Sequence, residues 1–206
     1  MTQMGSMRPD AAIHALVLQP LEVALDKVLL SVGYWLMDFD KPAFNVETPN
    51  ASGLCAISMV FGDDLLEILP GWDHRLRGAT AYHIETRFVS GSRANHELAR
   101  SARLAEAPAD RDTLWRNAIG HALTGVEVYG IGAFPHLIRF IFASTKITVA
   151  IGYSGDPPLI GDGDEILVFS DDDWLRVQRT LPDEWTKIWE HGGSEGDEWA
   201  EASQPP

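Results

Sequence analysis

Apolar and polar positions along this chain fall into two similar series. In the first, Leu21, Leu25, Val28, Leu29 and Val32 recur at three- and four-residue spacing, with Glu22, Asp26 and Lys27 on the other face. That period predicts an amphipathic helix over residues 20–32, entered through Pro20 and ended at Gly33. The aromatic-rich run from Gly33 to Phe39 reads as a strand. A Pro- and Asn-bearing loop over 41–53 leads to strands over 54–61, 65–69 and 80–89. The turn Gly62-Asp63-Asp64 joins the first two of these.

The second series follows the same order. Leu114, Trp115, Ala118, Ile119, Ala122 and Leu123 form another helical stripe, behind Asp110 and Asp112, whose charge suits a first helical turn. Gly125 ends that stripe, and Val126-Glu127-Val128-Tyr129 alternates as a strand does. Strands over 137–143, 147–153 and 165–169 come next. Each half is thus predicted as one helix followed by four strands. At a constant offset of 81, Ile57 falls on Ile138, Phe61 on Phe142 and Gly71 on Gly152, with Leu66 over Ile147 and Ile68 over Val149. Gly33 and Gly125 differ by 92 instead, and the extra length matches the 41–53 loop. Three identities in one pair of hairpins also arise by chance, so duplication and coincidence both stay open.

The resulting expectation is an α+β chain of two similar α-β-β-β-β halves, with antiparallel sheet and C-terminal helices. Its parts are an N-terminal segment (1–19), a first half (20–90), a connector (91–109), a second half with the terminal helices (110–192) and a disordered acidic tail (193–206). Ser170 and Asp173 are placed to cap a helix carrying Trp174, Leu175 and Val177. Pro182 is expected to open one more helical turn bearing Trp185, Ile188 and Trp189.

Charge changes the picture. Residues 156–206 hold fourteen acids against Arg176, Arg179 and Lys187, whereas residues 1–155 hold sixteen acids against thirteen bases. A positively charged partner is therefore steered to one end. A sequence pI near 4.7 with dispersed bases argues against binding nucleic acid or anionic membrane surfaces. The apolar runs fall short of a membrane span, and the first ten residues lack the apolar core of a signal peptide. Cys55 is the single cysteine, set among Leu54, Ala56 and Ile57, so it reads as a packing residue in a reducing, cytoplasmic setting.

No pattern carries catalysis. Gly-x-Ser-x-Gly and the nucleotide-binding glycine fingerprints are absent, and the seven histidines show no zinc-helix spacing. The expected catalytic, metal and cofactor residues are accordingly none. The acid-rich loop from Gly155 to Glu165 reads first as turn chemistry, then as part of a protein-binding face, and last as a cation site through Asp162, Asp164 and Glu165. His83 and Glu85 share one face of a predicted strand; with His136 they are the polar groups of a cleft between the halves, if the chain is an enzyme or small-ligand binder. Trp174, Trp185 and Trp189 either anchor a partner or fasten the terminal helices to the sheet.

The strand-then-helix ending Gly161-Asp162-Gly163-Asp164-Glu165-Ile166-Leu167-Val168-Phe169-Ser170-Asp171, on an acidic, cysteine-poor α+β chain, resembles in kind the small acidic immunity proteins of bacterial toxin–immunity systems. The resemblance covers about a quarter of the chain. It implies a non-catalytic, cytoplasmic protein that binds a basic partner, a toxin in that setting, through an acidic C-terminal face. Asp156, Asp162, Asp164, Glu165, Asp172 and Trp174 are the expected contact residues. Two other classes stand beside it: the enzyme or small-ligand binder, and an assembly protein that forms homo-oligomers through exposed strand edges.

Overall fold

A computed structural model of the chain describes residues 17–37, 54–72, 82–91, 104–109, 112–132, 134–143, 145–153, 158–161, 163–179, 181 and 185–191. Eleven strands are present among them: β1 (Ser31–Met37), β2 (Ala56–Phe61), β3 (Asp64–Trp72), β4 (Tyr82–Ser90), β5 (Leu104–Pro108), β6 (Leu123–Ile131), β7 (Phe134–Phe142), β8 (Thr145–Tyr153), β9 (Leu159–Ile160), β10 (Glu165–Ser170) and β11 (Trp185–His191). Three helices accompany them: α1 (Gln19–Ala24), α2 (Thr113–Arg116) and α3 (Asp171–Gln178). The strands pair antiparallel throughout, in two sheets ordered β4-β3-β2-β1-β5 and β10-β8-β7-β6-β11, with β9 beside β8.

Alternation along the strands builds one core between the sheets. Ile57, Met59 and Phe61 of β2 and Leu66 and Ile68 of β3 point inward from one sheet. Val126 and Val128 of β6, Ile138, Phe140 and Phe142 of β7, and Val149 and Ile151 of β8 meet them from the other. α1 contributes Leu21 and Ala24 to the same core and packs beside β4. The chain is an α+β fold in which strand dominates. None of its described helices is long and apolar enough to cross a membrane.

Both sheets have the same plan: a four-strand meander whose first strand takes a fifth strand on its other edge. The register agrees as well. Ser31 pairs with Val60 as Gly125 pairs with Ile141, and Gly33 pairs with Ser58 as Glu127 pairs with Arg139, an interval of 94 for β1 and 81 for β2. Ile57 pairs with Ile68 as Ile138 pairs with Val149. The interval of 81 expected for the hairpins therefore describes their pairing, whereas Ser31 and not Gly33 occupies the place of Gly125.

Where the halves meet, an isolated antiparallel bridge joins Val28 to Ala122. Around it, Asp26 N–H donates to Leu123 O (2.9 Å) and Gly120 N–H to Leu29 O (2.8 Å), while Leu29 N–H donates to His121 O and Leu123 N–H to Lys27 O, both at 3.0 Å. Moving each residue by 94 converts the first bond into the second and the third into the fourth. The seam thus has local two-fold character. Asp26 (φ +62°) and Gly120 (φ +86°), related by the same interval, both take the left-handed conformation that turns the chain out of its helix.

That seam explains the first corrections. The helix expected over 20–32 stops at Ala24, because residues 26–29 spend their backbone groups on the facing half. The second helical stripe likewise forms only Thr113–Arg116 and a run of turns, and β6 already begins at Leu123. Where four strands were expected in each half, the described residues place five in the first sheet, since the predicted connector contains β5, hydrogen-bonded to β1, and six in the second, which adds β9 and β11. Trp185–His191 is also a strand, paired with β6, where a helical turn was expected. The 193–206 tail lies outside the described residues.

Candidate functional site

Sheet two carries its charges on the outer face, opposite the core. Glu127 of β6 and Arg139 of β7 are direct cross-strand neighbours, and both are buried. Arg139 donates to Glu127 Oε2 at 3.2 Å and, through its other terminal nitrogen, to Asp171 at the start of α3. Lys187 of β11 donates to Glu127 Oε1 at 2.9 Å and to Glu190 at 2.7 Å. Tyr129 O–H donates to Glu127 Oε2 at 2.9 Å. One carboxylate therefore ties β6 to β7 and β11, and its arginine partner ties β7 to α3.

Burial pushes the Glu127 carboxyl upward, but the Lys187 and Tyr129 hydrogen bonds and the Lys187 and Arg139 charges together outweigh it and hold it below the ordinary carboxylate range. Tyr129 is raised by burial and by the Glu127 charge and hydrogen bond. Beside this network Tyr129, Leu137, Ala150, Leu167 and Phe169 form an apolar surface that α3 covers with Trp174 and Val177. The Trp174 and Tyr129 rings lie 5.8 Å apart at 50°. Ser170 caps α3 by accepting from Asp173 N–H at 3.2 Å, as its sequence predicts.

The expected contact residues separate. Asp156 and Asp162 lie outside the described residues. Asp164 is exposed and Glu165 half-buried at one end of β10, whereas Asp172 is exposed beyond its other end. A six-residue strand between them spans about 20 Å. The neighbouring acids are already engaged: Asp171 by Arg139, and Asp173 by Arg176 at 3.3 Å. Trp174 is 1% exposed and belongs to the fastening of α3, so it is corrected from partner anchor to core residue. The two exposed acids instead flank a braced face.

The second candidate is a half-open groove of about 520 Å³ between α1 and β4, lined among others by Pro20, Val23, Leu69, Glu85, Arg87 and Phe88. Glu85 lies 3.3 Å from His83 Nε2, and the His83 hydrogen bond, outweighing a smaller effect of burial, lowers its carboxyl. The expected face-sharing of His83 and Glu85 is present. The cleft expected between the halves does not gather its three polar groups: Glu85 lines a groove within the first half, while His136 is buried with its ring 5.2 Å from that of Trp185. Among the described residues no group of three or more potential metal ligands occurs.

Sequence reading missed the Glu127–Arg139–Lys187 brace and the groove. Alternation along Val126-Glu127-Val128-Tyr129 sets Glu127 on the face opposite its valine neighbours, but which residues it meets depends on register. A third polar cluster was equally hidden. Trp115 Nε1 donates to Tyr34 Oη and Tyr34 O–H to Asp112, each at 2.7 Å, inside the core. Asp112 also caps α2 through Leu114 N–H, so this cluster is accounted for by structure. Comparison with protein-family models, curated proteins and solved structures found no match for this chain.

Proposed function

We propose that the chain is a non-catalytic, cytoplasmic protein-binding protein of the immunity type, which engages a basic protein through the acidic face of its second sheet. The observation that carries this reading is the pairing of a stiff platform with uncovered acids. α3 and β11 are locked onto sheet two by the Glu127–Arg139–Lys187 network, and Asp164 and Asp172 project at the two ends of β10. Charges at the rim of a rigid surface act mainly on the rate of encounter.

The test is association kinetics with the partner recovered from a native lysate and then purified. Raising salt from 50 to 500 mM should slow association by about tenfold or more. Asp164→Lys with Asp172→Lys should slow it comparably at low salt while the melting temperature holds. An association rate indifferent to both would overturn the reading.

We also infer that the two halves descend from an internal duplication. The shared strand order, the common register and the reciprocal hydrogen bonds at the seam support it. Exchanging the left-handed residues, Asp26→Gly with Gly120→Asp, should then leave stability within about 1 kcal/mol of the parent, since each side chain moves to a matching backbone. Unfolding of the double variant would count against equivalence.

A further inference from the structure

On β8 the alternation that buries Ile147, Val149 and Ile151 carries on to Tyr153, which passes the end of the core and is 45% exposed. Two strands flank it there. Gly152 pairs with both Ile160 and Glu165, so β9 and β10 lie on opposite edges of β8. Tyr153 pairs with Leu159 on the β9 side, and one more residue along the β10 register sets Asp164 opposite it. Cross-strand neighbours share a face, so Leu159, Tyr153 and Asp164 form a row of side chains about 5 Å apart. Leu159 is 59% exposed, and Asp164 is exposed as well.

The backbone beside the row places the tyrosine ring. A Cβ at Gly163 would come within 2.9 Å of Tyr153 Cδ2 and 2.5 Å of the Gly152 carbonyl oxygen, so the ring lies against the chain just before Asp164. Ile160, next to Leu159, packs on the apolar cluster beneath α3, and Gly161 N–H donates to Ile151 O at 2.7 Å, which holds β9 in place. Asp164, in contrast, takes part in no hydrogen bond or ion pair among the described residues.

We propose that this row receives an arginine side chain of the basic partner protein, its stem along Leu159 and its guanidinium over the Tyr153 ring and paired with the Asp164 carboxylate. The combination suits arginine better than lysine. A planar guanidinium stacks on an aromatic face while offering parallel N–H donors to a carboxylate, and it sheds water more readily than an ammonium does. Lysine reaches the same acid only as a point charge. Leu159 gives the arginine methylenes an apolar surface to cover. Because the ring is already positioned, little side-chain freedom is lost when it is engaged, the condition under which an aromatic residue anchors an interface. This inference rests on the acidic-face reading and adds which side chain that face takes at its Asp164 end.

The full chain would be titrated, by fluorescence anisotropy, with two labelled probes of equal charge, hexa-arginine and hexa-lysine. Hexa-arginine is expected to bind about fivefold more tightly, and Tyr153→Ala should cut that preference to less than about twofold. Tyr153→Phe keeps the ring and should keep the preference, whereas Asp164→Asn should weaken hexa-arginine more than hexa-lysine. All three variants sit on exposed positions and should melt with the parent chain. An arginine preference that survives Tyr153→Ala, or that Tyr153→Phe abolishes, overturns the proposal. Equal binding of the two probes, weakened alike by salt and by Asp164→Lys with Asp172→Lys, would remove the arginine site and leave the acidic-face reading standing. Binding of neither probe at low salt would count against both.

Discussion

Arg139 is held between two carboxylates that belong to different elements, Glu127 from β6 and Asp171 from α3, and Glu127 has Lys187 as a second cation. Removing the arginine leaves a buried carboxylate with half its compensation, whereas an apolar replacement of both partners need not cost much. Arg139→Ala should therefore destabilise by about 3 kcal/mol in urea unfolding, and Arg139→Met with Glu127→Leu by clearly less. Trp174→Ala removes a buried ring from the α3 contact and should cost about 3–5 kcal/mol. Because that ring is not exposed, any effect on partner association should vanish once the folded fraction is taken into account.

The same network sets a pH dependence. The Glu127 carboxyl titrates lower in the folded chain than its ordinary value of 4.5, so the folded state binds fewer protons there than the unfolded chain does. Its stabilisation is present in full above that ordinary value and is lost as pH falls through the lowered folded value. Urea midpoints should be flat on this account from pH 7 to about 5 and decline below about 4.5, and Glu127→Gln should remove part of that decline.

At the scale of elements, the hairpins were readable because their side chains alternate and two-residue turns fix the register. β2–β3 and β7–β8 both lie where period two predicted them. β11 was not readable. Its register shifts between Lys187 and Trp189, and Ile188 and Trp189 both pack toward the core, so Trp185, Ile188 and Trp189 mimic the three- and four-residue spacing of a helix. What selected the strand was the open edge of β6, which no local pattern records. As an edge strand, β11 should exchange its amide hydrogens faster than β6, β7 and β8 in native-state hydrogen exchange. α3 was readable from its cap, and Ser170→Ala should cost about 1 kcal/mol in the same unfolding assay.

At the scale of the whole molecule, the two sheets share a core, and the seam at 26–29 and 120–123 joins the halves through backbone groups. Its strain is unequal: Asp26 holds a left-handed conformation with a side chain, and Gly120 holds it without one. Asp26→Gly should accordingly raise stability by roughly 0.5–1 kcal/mol, while Gly120→Ala should lower it by about 1 kcal/mol. Thermal melts of the two variants moving in the same direction would contradict this account.

By itself, the sequence determined the class of fold, the two hairpins, the cap of α3 and the concentration of acids toward one end, since each depends on local periodicity, local hydrogen bonding or simple counting. Only the tertiary structure decided where the helices stop, which polar side chains meet, and which acids are left uncovered. Those outcomes follow from contacts between residues far apart in the chain: a backbone seam that shortens both helices, an open edge that draws in β11, and an arginine on β7 that takes up one of the acids at the start of α3. The groove beside β4 belongs to the same group, because it exists only where an edge strand and a helix from distant positions come together.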